Sequence, residues 1–239
     1  MTALYILLAA FVGSFIQSAS GFGYAIVVMS ILPLFIPFQS AAIVEVLSAL
    51  AMVLWIAVKY RRHIHWKLLW WPLVANGVFS LAGIWFQSGS AETLLRRILG
   101  VTLVVLSLYF IFFSSKLVIR ANLWTGLAAG TVSGLCGGLI SIGGPPMVAY
   151  YLAATRSKEE YAATLQTYFV FSTIYIFAAH VAMGHVTGQI LSWSALALVG
   201  LAAGTFCGLK LFDRLSADGL KKVVCGFMAV VGCYLVITG

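Results

Sequence analysis

Glu45 is the only acidic side chain among the first 91 residues, and it lies in an apolar stretch. A carboxylate deep in a bilayer costs about 2.5–3.5 kcal/mol on insertion scales, so its presence there points to proton transfer or hydrogen bonding. Its alternative use is to reach interfacial water, since Pro37 is only two helical turns away. Two other places could do chemistry. One reads Gln17-Ser18-Ala19-Ser20-Gly21-Phe22-Gly23-Tyr24, the other Ser141-Ile142-Gly143-Gly144-Pro145-Pro146. Glycines permit close backbone approach and unusual dihedrals, and proline suits the first turn of a helix. A helix starting at such a break presents free N–H groups and a positive dipole end, which is an anion site. Gln17, Ser20, Gly21, Phe22, Gly23 and Tyr24, with Ser141, Gly143, Gly144 and Pro145, are therefore the candidate substrate-binding residues. The competing use of such glycines is close helix packing.

The remaining candidates carry less. His180, four residues before Gly184, has the intrinsic range to titrate near neutral pH. It stands with Glu45 as a proton-coupling candidate, against the simpler use as an interfacial histidine. His63 and His65 form an H-x-H in a basic segment without carboxylate or cysteine partners, so a solvated loop is expected and no metal. Cys136, Cys207, Cys225 and Cys233 have no metal-ligand spacing. Asn76 and Gln87 could line a cavity or bond between helices, and Thr167, Tyr168, Ser172 and Thr173 cluster near Gln166 with the same two readings. No G-x-S-x-G, H-E-x-x-H or P-loop occurs, so neither an enzyme nor a cofactor is expected.

The elements that must hold these residues follow from composition. The 239 residues are 62% hydrophobic and 8% charged, with mean hydropathy +1.06. Soluble domains carry about 25% charged residues, so lipid is the expected solvent. The net charge of +8 would suggest nucleic acid in a soluble chain; here basic loops on the cytoplasmic side account for it. No Lys or Arg precedes Lys59, which predicts a first membrane segment near residues 3–12 rather than a cleaved signal. Uncharged stretches at 68–91, 98–115 and 223–239 each predict one span, and 161–209 predicts two, turning at Gly184–Gly188. The 121–155 stretch is about 52 Å long if helical. That is short for two full spans and a turn, so a broken backbone is expected there. The 1–44 stretch has the same character.

A shift of 121 residues superposes the two halves. Gly13 falls on Gly134, Ser20 on Ser141, Gly23 on Gly144, and Ala41-Ala42-x-x-Glu45 on Ala162-Ala163-x-x-Gln166. Gln166 thereby joins the substrate-binding candidates. With a slip of a few residues, Ser90-Ala91-Glu92 falls on Ser216-Ala217-Asp218. This predicts an all-α polytopic membrane protein of two repeats, 1–115 and 120–239, about five segments each, in one membrane domain. Broken or re-entrant helices are expected at 13–37 and 130–155. The loop with Lys59, Arg61, Arg62 and Lys67 is expected inside, and its uncharged counterpart at 184–189 outside, so the repeats are expected to be inverted. Counting onward leaves only Arg96 and Arg97 on the outer side, with both termini external.

Inverted repeats with broken helices are a plan of secondary transporters. The Gly-rich motif opening each half, a proline-containing break and A-A-x-x-polar resemble the sulfite exporter TauE/SafE family, also called the toluene sulfonate uptake permeases. The stretch from Gly184 to Phe227 resembles that family's second-half ending, and the resemblance covers nearly the whole chain. The motifs here depart from it in reading GFGY, and GGPP where GGG is usual. The resemblance implies transport of sulfite or organosulfonates such as sulfoacetate across the bacterial inner membrane. The expected partners are thus a small anion and lipid, with no nucleic acid; a homodimer is compatible but no residue carries it. A passive anion channel and a non-transporting scaffold are the alternatives.

Overall fold

The computed structural model describes the backbone of residues 2–20, 23–112, 121–211 and 217–239. Gly21 and Phe22, expected at the first break, lie outside the described residues, as does the side chain of Ser20. The described residues form ten α-helices: α1 (Thr2–Ser20), α2 (Tyr24–Ile31), α3 (Phe38–Lys59), α4 (Trp66–Gly89), α5 (Glu92–Phe112), α6 (Leu123–Ile140), α7 (Gly144–Ala154), α8 (Lys158–Ala182), α9 (Gly188–Leu211) and α10 (Ala217–Thr238). Six of them, α3 to α6, α8 and α9, are long and apolar enough to cross a membrane. Large apolar side chains stand exposed, with Trp124 at 76% and Ile237 at 79%. Hydrocarbon is the solvent that accepts such a surface, and helices are the way a chain satisfies its backbone within it.

Local chemistry sets the helix ends. Asn122 and Thr125 form a reciprocal capping box at the start of α6. The Ser157 hydroxyl accepts from the Glu160 N–H at the start of α8 (3.1 Å). Phe38, first in α3, donates its N–H to Glu92 Oε1 at the start of α5 (3.1 Å). Pro72 lies inside α4, where its missing N–H frees the carbonyl four residues earlier. That carbonyl, Leu68 O, accepts from the Tyr151 hydroxyl (3.4 Å).

The chain divides into two compact units. One comprises Met1–Ser48, Ser90–Leu117 and Thr187–Gly239; the other comprises Ala49–Gly89 and Val118–Val186. Each draws on both halves of the sequence. In the first unit α1 packs on α9 and α5 on α10. Gly200, Gly204 and Gly208 of α9 lie against the backbone of Leu7, Phe11 and Phe15. Gly100 and Gly232 meet reciprocally between α5 and α10. In the second unit α4 packs on α6, with Gly130, Gly134 and Gly138 against the backbone of Pro72, Asn76 and Ser80. Without a hydrophobic drive between helices in lipid, such close backbone approach supplies the dispersion energy that holds them. A core of Leu69, Met147, Tyr150, Tyr151, Leu165 and Tyr168 ties α7 to α4 and α8.

Candidate functional site

Both expected breaks are present, one in each unit. The first separates α1 from α2. Gly23 caps α2 with φ +119°, a conformation that side chains other than glycine's rarely adopt. Its carbonyl accepts from the Val27 N–H (3.0 Å), which starts the helix. The first-turn N–H groups of a helix have no intrahelical acceptor. Gln17 Oε1 takes the one on Tyr24 (2.8 Å), leaving the Ala25 and Ile26 N–H groups as first-turn donors. Gln17 is thus a helix cap in this structure. The Tyr24 hydroxyl meets the Ser48 hydroxyl (2.6 Å). Ser48 also donates back to Val44 O and Glu45 O (2.7 and 3.1 Å), so the tip of the Tyr24 side chain reaches the turn of α3 that carries Glu45. Glu45 is 5% exposed, so the residue lies largely within the protein. The structure thus brings together Gln17, Gly23, Tyr24 and the turn that carries Glu45.

The second break separates α6 from α7. Ser141 ends α6 at φ 57°; its N–H returns to Gly137 O (3.0 Å) and that of Ile142 to Cys136 O (3.3 Å). Gln87 Nε2 donates to Leu139 O (2.9 Å), so one of the carbonyls left free near the end of α6 is satisfied from α4. Gly143 precedes α7, and its carbonyl accepts from the Ser133 hydroxyl (2.7 Å). Ser133 in turn accepts from the Tyr168 hydroxyl (3.0 Å). A Cβ on Gly143 would stand 3.0 Å from Ser133 Oγ, so glycine is what admits this contact. Gly144, Pro145 and Pro146 open α7. Two prolines remove two first-turn donors, so this helix start offers fewer N–H groups than α2 does. Gln166 is buried on α8 with no partner for Oε1 among the described residues.

His180 Nδ1 lies 3.1 Å from His185 Nδ1, so the last turn of α8 is joined to the loop that follows. The expectation for His180 missed this second histidine, although it stands only five residues further on. It also missed Ser48 and Ser133, whose hydroxyls carry no signal in an apolar helix, and treated Tyr168 as ambiguous. His65 lies 3.9 Å from Glu160, and no cluster of metal-binding side chains occurs among the described residues.

A family model for the sulfite exporter TauE/SafE matches residues 5–235. The chain belongs to this family. It is 25% identical over 236 residues to a protein of Cupriavidus necator described as a probable sulfite/organosulfonate exporter TauE, covering 94% of this chain and 90% of that one. No solved structure matches the chain. Membership makes this a multi-pass membrane protein of a transporter family and fits the anion expected from the helix breaks.

Proposed function

We propose that this TauE/SafE family member is a secondary transporter that moves sulfite or a small organosulfonate across the bacterial inner membrane by alternating access. The outward direction is carried over from the name of the Cupriavidus necator relative. The observation that carries the reading is the start of α2: first-turn N–H donors on a helix whose first side chain, Tyr24, reaches the turn of α3 that carries the largely buried Glu45. A helix N-terminus attracts an anion, whereas an ionised Glu45 beside it would repel one. Anion binding therefore favours protonated Glu45, which couples anion and proton movement. His180, joined to His185, is the second proton-coupling candidate. Gly143 and the α6–α7 break would be the counterpart of this site in the second half, with Gln166 in place of Glu45.

The test is uptake of labelled sulfite and sulfoacetate into proteoliposomes, with a pH gradient imposed or collapsed. The expected result is uptake above empty liposomes that depends on the gradient in the wild type and loses that dependence in Glu45→Gln. Uptake indifferent to both changes removes Glu45 from the mechanism and favours a passive channel. No uptake of either anion by folded protein sinks the transport reading and favours a scaffold.

A further inference from the structure

Neither helix break uses the lipid-facing side of α4 and α8. The His65 N–H, just before α4, donates to Thr164 Oγ1 on α8 (3.0 Å), and a Cβ on Gly77 would stand 3.5 Å from the Tyr175 ring. The two helices therefore run side by side in the same direction from the connection at residues 59–67. A cleft of about 370 Å³ lies between them, walled by Trp66, Trp70 and Val74 of α4 and by Phe171 and Tyr175 of α8. It opens outward, since Trp70 and Val74 are 60% and 58% exposed. From Trp66 to Val78 it runs about 18 Å along α4. One leaflet of hydrocarbon is about 15 Å deep. An acyl chain of a single leaflet thus matches the cleft in length, and its largely apolar walls match the chain in polarity.

The chemistry at one end distinguishes this cleft from any other groove in a lipid-facing surface. Lys59, Arg61, Arg62 and Lys67 stand there with no acidic residue among them. All four are exposed, and none makes an ion pair among the described residues. Lys67 lies one turn before Trp70 on the same side of α4, which puts a cation beside the cleft wall. Glu160, at the start of α8, is turned to the Arg156 N–H (2.9 Å) and to His65 (3.9 Å). Tryptophan settles at the level of lipid headgroups, and basic residues at that level attract anionic headgroups. We propose that the cleft is a binding site for one anionic phospholipid, with an acyl chain between α4 and α8 and the headgroup phosphate held by the basic residues around Arg62 and Lys67. This inference goes beyond the transport reading and does not depend on it.

The probes are labelled dioleoylphosphatidylglycerol and dioleoylphosphatidylcholine, which share their chains and differ in headgroup charge. Their equilibrium binding to the delipidated full chain is measured in detergent. The expected result is a preference of about tenfold for phosphatidylglycerol in the wild type, lost when Arg62→Gln and Lys67→Gln are combined. Val74→Trp fills the cleft from an exposed position and is expected to weaken both lipids. Gly77→Leu, whose side chain must project past the Tyr175 ring, gives the same readout if Val74→Trp does not fold. Equal binding of the two lipids by the wild type would overturn the proposal and leave only unselective boundary lipid. A preference that survives the charge substitutions would overturn it too, as would binding that neither cleft variant weakens. Displacement of phosphatidylglycerol by equimolar glycerol 3-phosphate would make this a site for a soluble phosphate, which also overturns it.

Discussion

Gln17 illustrates how a polar side chain in an apolar helix shows its type in the sequence but not its partner. Its type marked it for the site, but its acceptor is committed to the Tyr24 N–H. Removing that acceptor leaves a buried donor, at a cost of about 1–3 kcal/mol. Gln17→Leu is therefore expected to lower the melting temperature of the purified protein. Gln17→Glu keeps the acceptor and holds the temperature nearer the wild type, while its charge at the start of α2 slows anion uptake. Equal stability in all three proteins would show that the cap contributes nothing. Glu45 and His180 stand out in the sequence as candidates because ionisable groups are conspicuous in hydrocarbon. Ser48 and Ser133 were not, because a serine in a membrane helix usually bonds its own backbone. His185 gives a pH dependence with a definite sign. Burial holds its imidazole below the ordinary 6.5. The folded protein then binds the proton less readily than the unfolded chain, so this stability is whole above pH 6.5 and is lost as the pH falls below it. His185→Gln is expected to shrink the drop in melting temperature between about pH 7.5 and about pH 5.5; an unchanged drop places the acid sensitivity elsewhere.

At the scale of elements, the two breaks were readable because glycine and proline act locally. Gly23 and Ser141, with positive φ, and the Pro145–Pro146 pair interrupt a helix wherever the rest of the chain lies. Helix pairing is different. The four-residue spacing of Gly126, Gly130, Gly134 and Gly138, and of Gly200, Gly204 and Gly208, is visible in the sequence, but the spacing does not name the partner. The structure gives α6 to α4 and α9 to α1, joining segments distant in the chain. The close approach can be checked by paired substitutions. A Cβ on Gly204 would meet the Phe11 carbonyl and the Ser14 hydroxyl, whereas one on Gly226 meets nothing within 4 Å. Gly204→Ala is expected to destabilise by about 1–3 kcal/mol through overpacking. Gly226→Ala is expected to be neutral or to gain about 1 kcal/mol from helix propensity. Thermal unfolding of the two variants in one detergent tests this, and equal effects would mean that α1 and α9 are farther apart than described.

At the scale of the whole molecule, the helix lengths of the two halves run in step. They are 19 and 18 residues for α1 and α6, 8 and 11 for α2 and α7, 22 and 25 for α3 and α8, 24 and 24 for α4 and α9, and 21 and 22 for α5 and α10. The pairings also exchange: the first helix of each half packs on the fourth helix of the other, and the fifth helices pack on each other. Such exchange supports two halves related by a repeat, and explains why each compact unit takes helices from both. A repeat alone leaves the direction of the halves open; the charges supply it. Lys59, Arg61, Arg62 and Lys67 flank one connection, and the corresponding 184–187 loop has no charged residue. Positive loops stay inside, so corresponding connections should face opposite sides of the membrane. Single cysteines at His63 and at Gly184, introduced after the four native cysteines are replaced, test this in cells with an impermeant thiol reagent. Labelling at Gly184 in intact cells, and at His63 only after permeabilisation, is the expected pattern. Labelling of both from one side would make the halves parallel. It would also remove the inverted-repeat argument for alternating access, while leaving the break at α2 and its buried neighbour Glu45 as they are.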